Sequence, residues 1–244
     1  MTDLITELFD RMDSWRHLPG YQLERRADLF FSLYLAEALE AKLGFPVRRD
    51  LVPEFPVRIG ALCSRSESNQ SFKIDYLALS EDLTKAILVE LKTEGRSRRE
   101  KQDKYLMEAR RVGLTGLLNG VLDIFRATTA KRKYFCLLQR LAGLGLLAIP
   151  AEFADLMAGN DLRSVNGASE SVTVISPVRE CIVVYVQPNE DKDDHACRKG
   201  DPPVVIAFDE FRAVVERHAD PVSVRFARSL KEWSRVRAGK PGGS

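Results

Sequence analysis

A mixed α/β fold, with one central sheet flanked by helices and extra helices towards the C-terminus, is what this 244-residue sequence predicts. Three observations carry that expectation. A stretch almost free of Gly and Pro (24–43) precedes a β-hairpin pattern, the second strand of that hairpin is apolar on both faces, and helical spacing returns after it. With 45% hydrophobic and 30% charged residues the composition is that of an ordinary globular domain, not of a disordered or collagen-like chain. We expect a single domain over 1–244, with a core at about 24–190, a C-terminal helical extension at about 204–238 and a mobile tail at 239–244.

The first helix is expected over 24–43, stopped by Gly44 and Pro46. At about 100° per residue its large apolar side chains fall nearly all round, as in a helix packed inside a core. Glu37 and Glu40 then share an arc with Leu29, Phe30 and Leu33, where an ionised group is costly unless paired. After Pro46 the period becomes two, and Pro53 and Pro56 divide 47–57 into short extended pieces. The hairpin follows: strand 72–79, turn 80–84 and strand 85–93, the last almost continuously apolar and so expected at the centre of the sheet. A charged amphipathic helix is expected over 97–112, with further helices at 121–127, 131–147 and 150–157. A late strand pair is expected from 172–175 and 181–187 around Pro177, then a polar loop to Pro203 and two helices at 209–218 and 221–237.

Several function classes are disfavoured. The longest nearly uncharged apolar run, 141–151, falls far short of the roughly 20 residues a bilayer span needs. Three acids precede the first Arg, so the N-terminus does not read as a secretory signal and the protein is expected in the cytoplasm. Cys63, Cys136, Cys181 and Cys197 are scattered and read as free thiols. His195 and Cys197 lie in an acidic loop with no second Cys/His pair to make a zinc site, and His17 and His218 show no partner from which to build a nucleophile. Gly143 and Gly145 imitate a dinucleotide fingerprint, but what precedes them is helical in pattern, so a helix end is expected.

The hairpin carries the chemistry. Glu90 and Lys92 alternate with Leu91 and so point to one side of their strand, and a turn centred near Asp82 brings Asp75 roughly opposite Glu90. Two carboxylates set among apolar neighbours make a hard oxygen site for Mg²⁺ or Mn²⁺, and an ammonium beside them can orient water or offset charge on a phosphate. The bland reading is a cross-strand ion pair on a solvated face; against it stands the missing solvent side of the second strand.

In Asp75 and the Glu90-Leu91-Lys92 run the sequence resembles the PD-(D/E)XK nuclease superfamily, the restriction-endonuclease-like proteins, over about 24–111. The resemblance implies a metal-dependent nuclease hydrolysing phosphodiester bonds in nucleic acid, DNA first. Asp75 and Glu90 would hold Mg²⁺ or Mn²⁺ together with the main-chain carbonyl of Leu91, and Lys92 would position water. The family's first core helix often adds an acid, for which Glu37 is the first choice and Glu40 the second. Ile74 stands where the family has Pro, and the Gln102 to Tyr105 spacing is one residue shorter than in the RecB-like branch. Arg96, Arg98, Arg99 and Lys101, with Gln102 and Tyr105, follow the metal strand where a phosphate backbone would pass. Members that cut two strands are frequently homodimers. The alternative is a catalytically inactive module of this fold that binds nucleic acid or a protein.

Overall fold

The computed structural model describes residues 3–62, 70–93, 100–159, 165–189 and 202–234. In chain order the elements are α1 (Leu4–Trp15), α2 (Leu23–Leu43), β1 (Val52–Arg58), α3 (Ile59–Leu62), β2 (Ser71–Leu79) and β3 (Lys85–Leu91). Then come α4 (Glu100–Ala127), α5 (Lys131–Gly143), β4 (Leu147–Ala148), α6 (Ala151–Ala158), α7 (Val165–Ala168) and β5 (Thr173–Val174). The last are β6 (Glu180–Gln187), β7 (Val204–Ala207), α8 (Phe208–Val215) and α9 (Pro221–Trp233).

Five strands form a mixed sheet in the order β1-β2-β3-β6-β7. β1 is antiparallel to β2 and β2 to β3, with Tyr76 opposite Val89 and Leu79 opposite Ala86; β6 and β7 are parallel. β3 and β6 are parallel too. The Thr84 carbonyl accepts from the Arg179 N–H at 2.8 Å at their starts, and the Lys92 N–H donates to the Val186 carbonyl at 2.8 Å at their ends. β3 therefore sits third of five, and residues 86–91 are all buried, as its unbroken apolar character requires. Pro53 and Pro56 both lie in β1, which is one continuous strand and not a string of short pieces. As the outer strand of the sheet it is the place where prolines are tolerated, since only alternate N–H groups of an edge strand face a neighbour.

The chain groups into two compact units, one made of 1–47, 90–99 and 184–244 and the other of 48–89 and 100–183. The first contains α1, α2, α8 and α9. Its core is aromatic: the Phe31 ring of α2 lies 5.6, 5.1 and 5.2 Å from those of Phe208, Phe211 and Phe226. The α8 and α9 helices are thus part of the packing around α2. Buried Arg225 of α9 donates to Asp10 and Asp13 of α1 at 2.6 and 2.7 Å, and the Trp233 indole donates to Asp13 at 2.7 Å. In the second unit α4 packs beside β1 and α3; a Cβ at Gly120 would come within 3.2 Å of the Arg58 Cβ and 3.3 Å of the Ala61 Cβ, so only glycine lets these backbones approach.

Several expectations are corrected. α2 is not apolar all round in its packing: Leu29 is 68% and Leu33 56% exposed, on the face away from Phe31. The Lys131 helix ends at Gly143 instead of continuing to 147, because Gly145 turns with φ 79° and Leu147–Ala148 becomes strand. β5 pairs with β4 and not with β6, which joins the main sheet instead. β7 and α1 were not anticipated as elements. Two basic side chains are structural: Arg225 is locked by its aspartates, and buried Lys131 caps α4, donating to the carbonyls of Phe125 and, at 2.7 Å, Arg126. Burial holds the Lys131 ammonium below the usual lysine range.

Candidate active site

β3 ends on the residues that matter. Leu88, Val89 and Leu91 seal the strand into the sheet, and alternation places Glu90 and Lys92 on one face, where the ammonium Nζ lies 2.6 Å from Glu90 Oε1. Glu90 is 3% and Lys92 4% exposed. The solvated ion-pair reading therefore fails: this is a buried pair, whose desolvation cost is offset only by close geometry and further partners. One such partner comes from α2. Glu24, in the first turn of that helix, brings Oε2 to 3.7 Å from Lys92 Nζ with its side chain 31% exposed. A buried ammonium thus stands between one sequestered carboxylate and one that opens towards water.

The helix acid beside the lysine is Glu24, not Glu37 or Glu40. Glu37 lies 13 residues further along α2, about 20 Å down the helix axis. Its Oε2 is 2.9 Å from His218 Nε2, which also corrects the reading of His218 as partnerless. Glu40 Oε1 accepts from the Val47 N–H at 3.0 Å and fastens the chain reversal after Gly44. Glu24 was legible only as the residue that opens the helix. Nothing in the spacing tied it to Lys92, because the contact spans 68 residues and depends on where α2 enters the fold.

The remaining expected residues are placed as follows. Asp75 is half-buried on β2, in the second compact unit. Leu91 is buried with its carbonyl on β3. Lys101, Gln102 and Tyr105 occupy the first turns of α4; the Tyr105 ring stacks on Phe72 at 5.3 Å and carries Lys101 Nζ 5.6 Å above it. Arg96, Arg98 and Arg99 lie outside the described residues, as do Cys63, His195 and Cys197. Cys136 is exposed and Cys181 buried, both as free thiols.

The partners of Lys92 named above, Glu90 and Glu24, offer carboxylate oxygens. Carboxylates suit Mg²⁺ or Mn²⁺ and not zinc, and a magnesium ion commonly takes one or two of them while keeping water in the other positions. Among the described residues, no three His, Cys, Asp or Glu side chains converge as a ready-made ligand cluster. Nor is any helix there long and apolar enough to cross a membrane. No family model, no curated protein and no solved structure matches the chain.

Proposed function

We propose that the chain is a divalent-metal-dependent nuclease with a restriction-endonuclease-like core, hydrolysing phosphodiester bonds in nucleic acid, DNA first. The observation that carries the reading is the buried Glu90–Lys92 pair at the end of the central strand, with Glu24 of α2 beside it. A charged pair at 3% and 4% exposure costs folding energy that an apolar pair of the same size would not, and a site is the usual place where such a cost persists.

In this reading Glu90 and the Leu91 carbonyl would hold Mg²⁺ or Mn²⁺, with Asp75 in the role that the resemblance gives it and Glu24 in the place expected of Glu37. The ion, when bound, lowers the pKa of a coordinated water and polarises a phosphoryl oxygen. Lys92 supplies a fixed positive charge in a nearly dry position, where it orients the attacking water and offsets negative charge growing on the phosphate oxygens. Glu90 and Glu24 hold the ammonium there by charge-assisted contacts. Lys101, Gln102 and Tyr105, with Arg96, Arg98 and Arg99, are assigned to the phosphate backbone.

The test is metal-dependent stabilisation. Millimolar Mn²⁺ or Ca²⁺ is expected to raise the melting temperature of the wild type, and the rise is expected to vanish in Glu90→Gln and Asp75→Ala. No rise in the wild type would remove the metal site. A second reading is a module of the same fold that binds nucleic acid without cutting it. That reading predicts salt-sensitive binding of nucleic acid with no effect of Mn²⁺ on stability.

A further inference from the structure

We infer that the hairpin of α1 and α2 is a docking surface for a second copy of this chain. Among the described residues eight large apolar side chains are exposed, and six of them, Leu4, Leu8, Trp15, Leu18, Leu29 and Leu33, belong to this hairpin or its connector. The two helices run side by side in opposite directions: Phe9 packs on Phe30 at 4.6 Å, and Trp15 meets Tyr21 at 6.2 Å nearer the connector. Each helix shows water a stripe of residues spaced in alternating steps of four and three. On α1 the stripe is Leu4, Leu8, Arg11 and Trp15, and on α2 it is Arg26, Leu29 and Leu33, all exposed. Such spacing makes the seam of one helix against another. On α1 it is separate from the face of Phe9 and Met12, which is already buried in the fold.

Three observations point to a second copy as the occupant. Outside the described residues the sequence offers only Met1, Leu162 and Val236 as large apolar side chains, too few to cover six. Residues 3–33 carry six Asp/Glu and four Arg, a net negative charge that disfavours nucleic acid or an anionic lipid surface. The borders of the two stripes are complementary to each other. Asp10 and Asp13 turn towards Arg225, so Glu7, paired with Arg11 in its own helix, is the acid that borders the α1 stripe, just before Leu8. Exposed Arg25 holds the equivalent border of the α2 stripe, just before Arg26. In a two-fold pairing the same patch meets itself. Antiparallel contact of α1 with the partner's α2 sets Glu7 against Arg25 of the partner subunit, whereas α1 on α1 sets like charges together. The area is sufficient. The six side chains put on the order of 500 Å² of apolar surface in water, as much as the largest patch on a typical monomer. Two copies joined there remove about 1,000 Å² before the polar rim is counted, which a specific interface requires.

The test is the mass of the full chain in solution, read by sedimentation equilibrium, and it is independent of the nuclease reading. One chain weighs 27.5 kDa. Twice that mass is expected at ~100 µM, with dissociation on dilution through the micromolar range. Leu8→Glu and Leu29→Glu are each expected to weaken the dimer at least about 100-fold, because each puts an unpaired charge into the seam. Both positions are exposed in the single chain, so each variant should keep a cooperative unfolding transition. Ile175→Glu, at a similarly exposed position outside the hairpin, should leave the dimer unchanged. Glu7→Arg should weaken it and the further change Arg25→Glu should restore it; no recovery in that double variant would overturn the pairing of α1 with α2. A wild type that keeps the mass of one chain at ~100 µM would overturn the inference, and flotation of that monomer with phosphatidylcholine vesicles would assign the hairpin to a lipid surface instead. A dimer that survives both leucine variants, or that is lost in Ile175→Glu, would overturn it as well, since the interface would then lie elsewhere.

Discussion

Lys92 is held almost out of water by two carboxylates, so its removal leaves Glu90 buried and without its closest cation. Lys92→Met is expected to cost about 3–5 kcal/mol in urea unfolding, and the double change Glu90→Gln with Lys92→Met much less, because the stranded charge is then gone. A single-variant cost below about 1 kcal/mol would mean the pair behaves as a surface ion pair. The hairpin turn offers a test of a different kind. Ser80 Oγ, then the Thr84 N–H and hydroxyl, donate to the Asp82 carboxylate and hold its pKa down at about 2. Its folded value is depressed below the unfolded value of about 3.9, so the stabilisation is present above that value and is lost as pH falls through about 2. The stability deficit of Asp82→Ala should be constant near neutrality and shrink between about pH 4 and pH 2; a deficit unchanged at pH 2 would contradict this account of the turn. At this scale the sequence was informative about pairs on one strand: alternation alone put Glu90 and Lys92 together. It was silent on the Glu24–Lys92 and His218–Glu37 contacts, because each joins residues that only the packed chain brings into reach.

Among the elements, those with a local cause were the readable ones. The hairpin follows from two β-rich runs around a polar turn, and α2 from a Gly/Pro-free run ending on Gly44, which has φ 76°. The failures also have local causes. β7 has only four residues and β4 and β5 two each, too short for any period to show. The helix expected over 97–112 does break at Gly113, whose φ of 75° and ψ of 163° are essentially glycine's alone, and the helical stretch expected only over 121–127 begins directly after it and completes α4. Two glycines should therefore respond in opposite directions. Gly113→Ala is expected to destabilise by about 1–3 kcal/mol. Gly143→Ala, at the last turn of α5 with nothing within 4 Å of its added Cβ, should be neutral or stabilise by up to about 1 kcal/mol. Chemical denaturation of the two variants reads both signs at once, and a tolerated Gly113→Ala would mean that α4 does not break there.

For the whole molecule, the first compact unit is assembled from three separated stretches of chain. Its aromatic centre needs Phe31 from one of them and Phe208, Phe211 and Phe226 from another. Composition and period predicted the α/β class and the central place of β3, but they treated the last helices as an extension. Nothing in an amphipathic helix says which surface it will cover. Deleting 202–244 is accordingly expected to abolish cooperative thermal unfolding, since it strips β7, α8 and α9 from Phe31; a sharp transition in the truncated chain would show that α8 and α9 are dispensable.

The central claim is that Lys92 and its carboxylates hydrolyse phosphodiester bonds. Its most direct test is cleavage of a panel of plasmid, single-stranded DNA, branched DNA and RNA in Mg²⁺ or Mn²⁺, comparing the wild type with Lys92→Met, a variant whose folding is checked by its unfolding transition. The account predicts cutting of at least one substrate by the wild type, none with EDTA, and a loss of at least 100-fold in the variant. Cutting that survives the loss of Lys92 in the folded variant, or proceeds in EDTA, would contradict it.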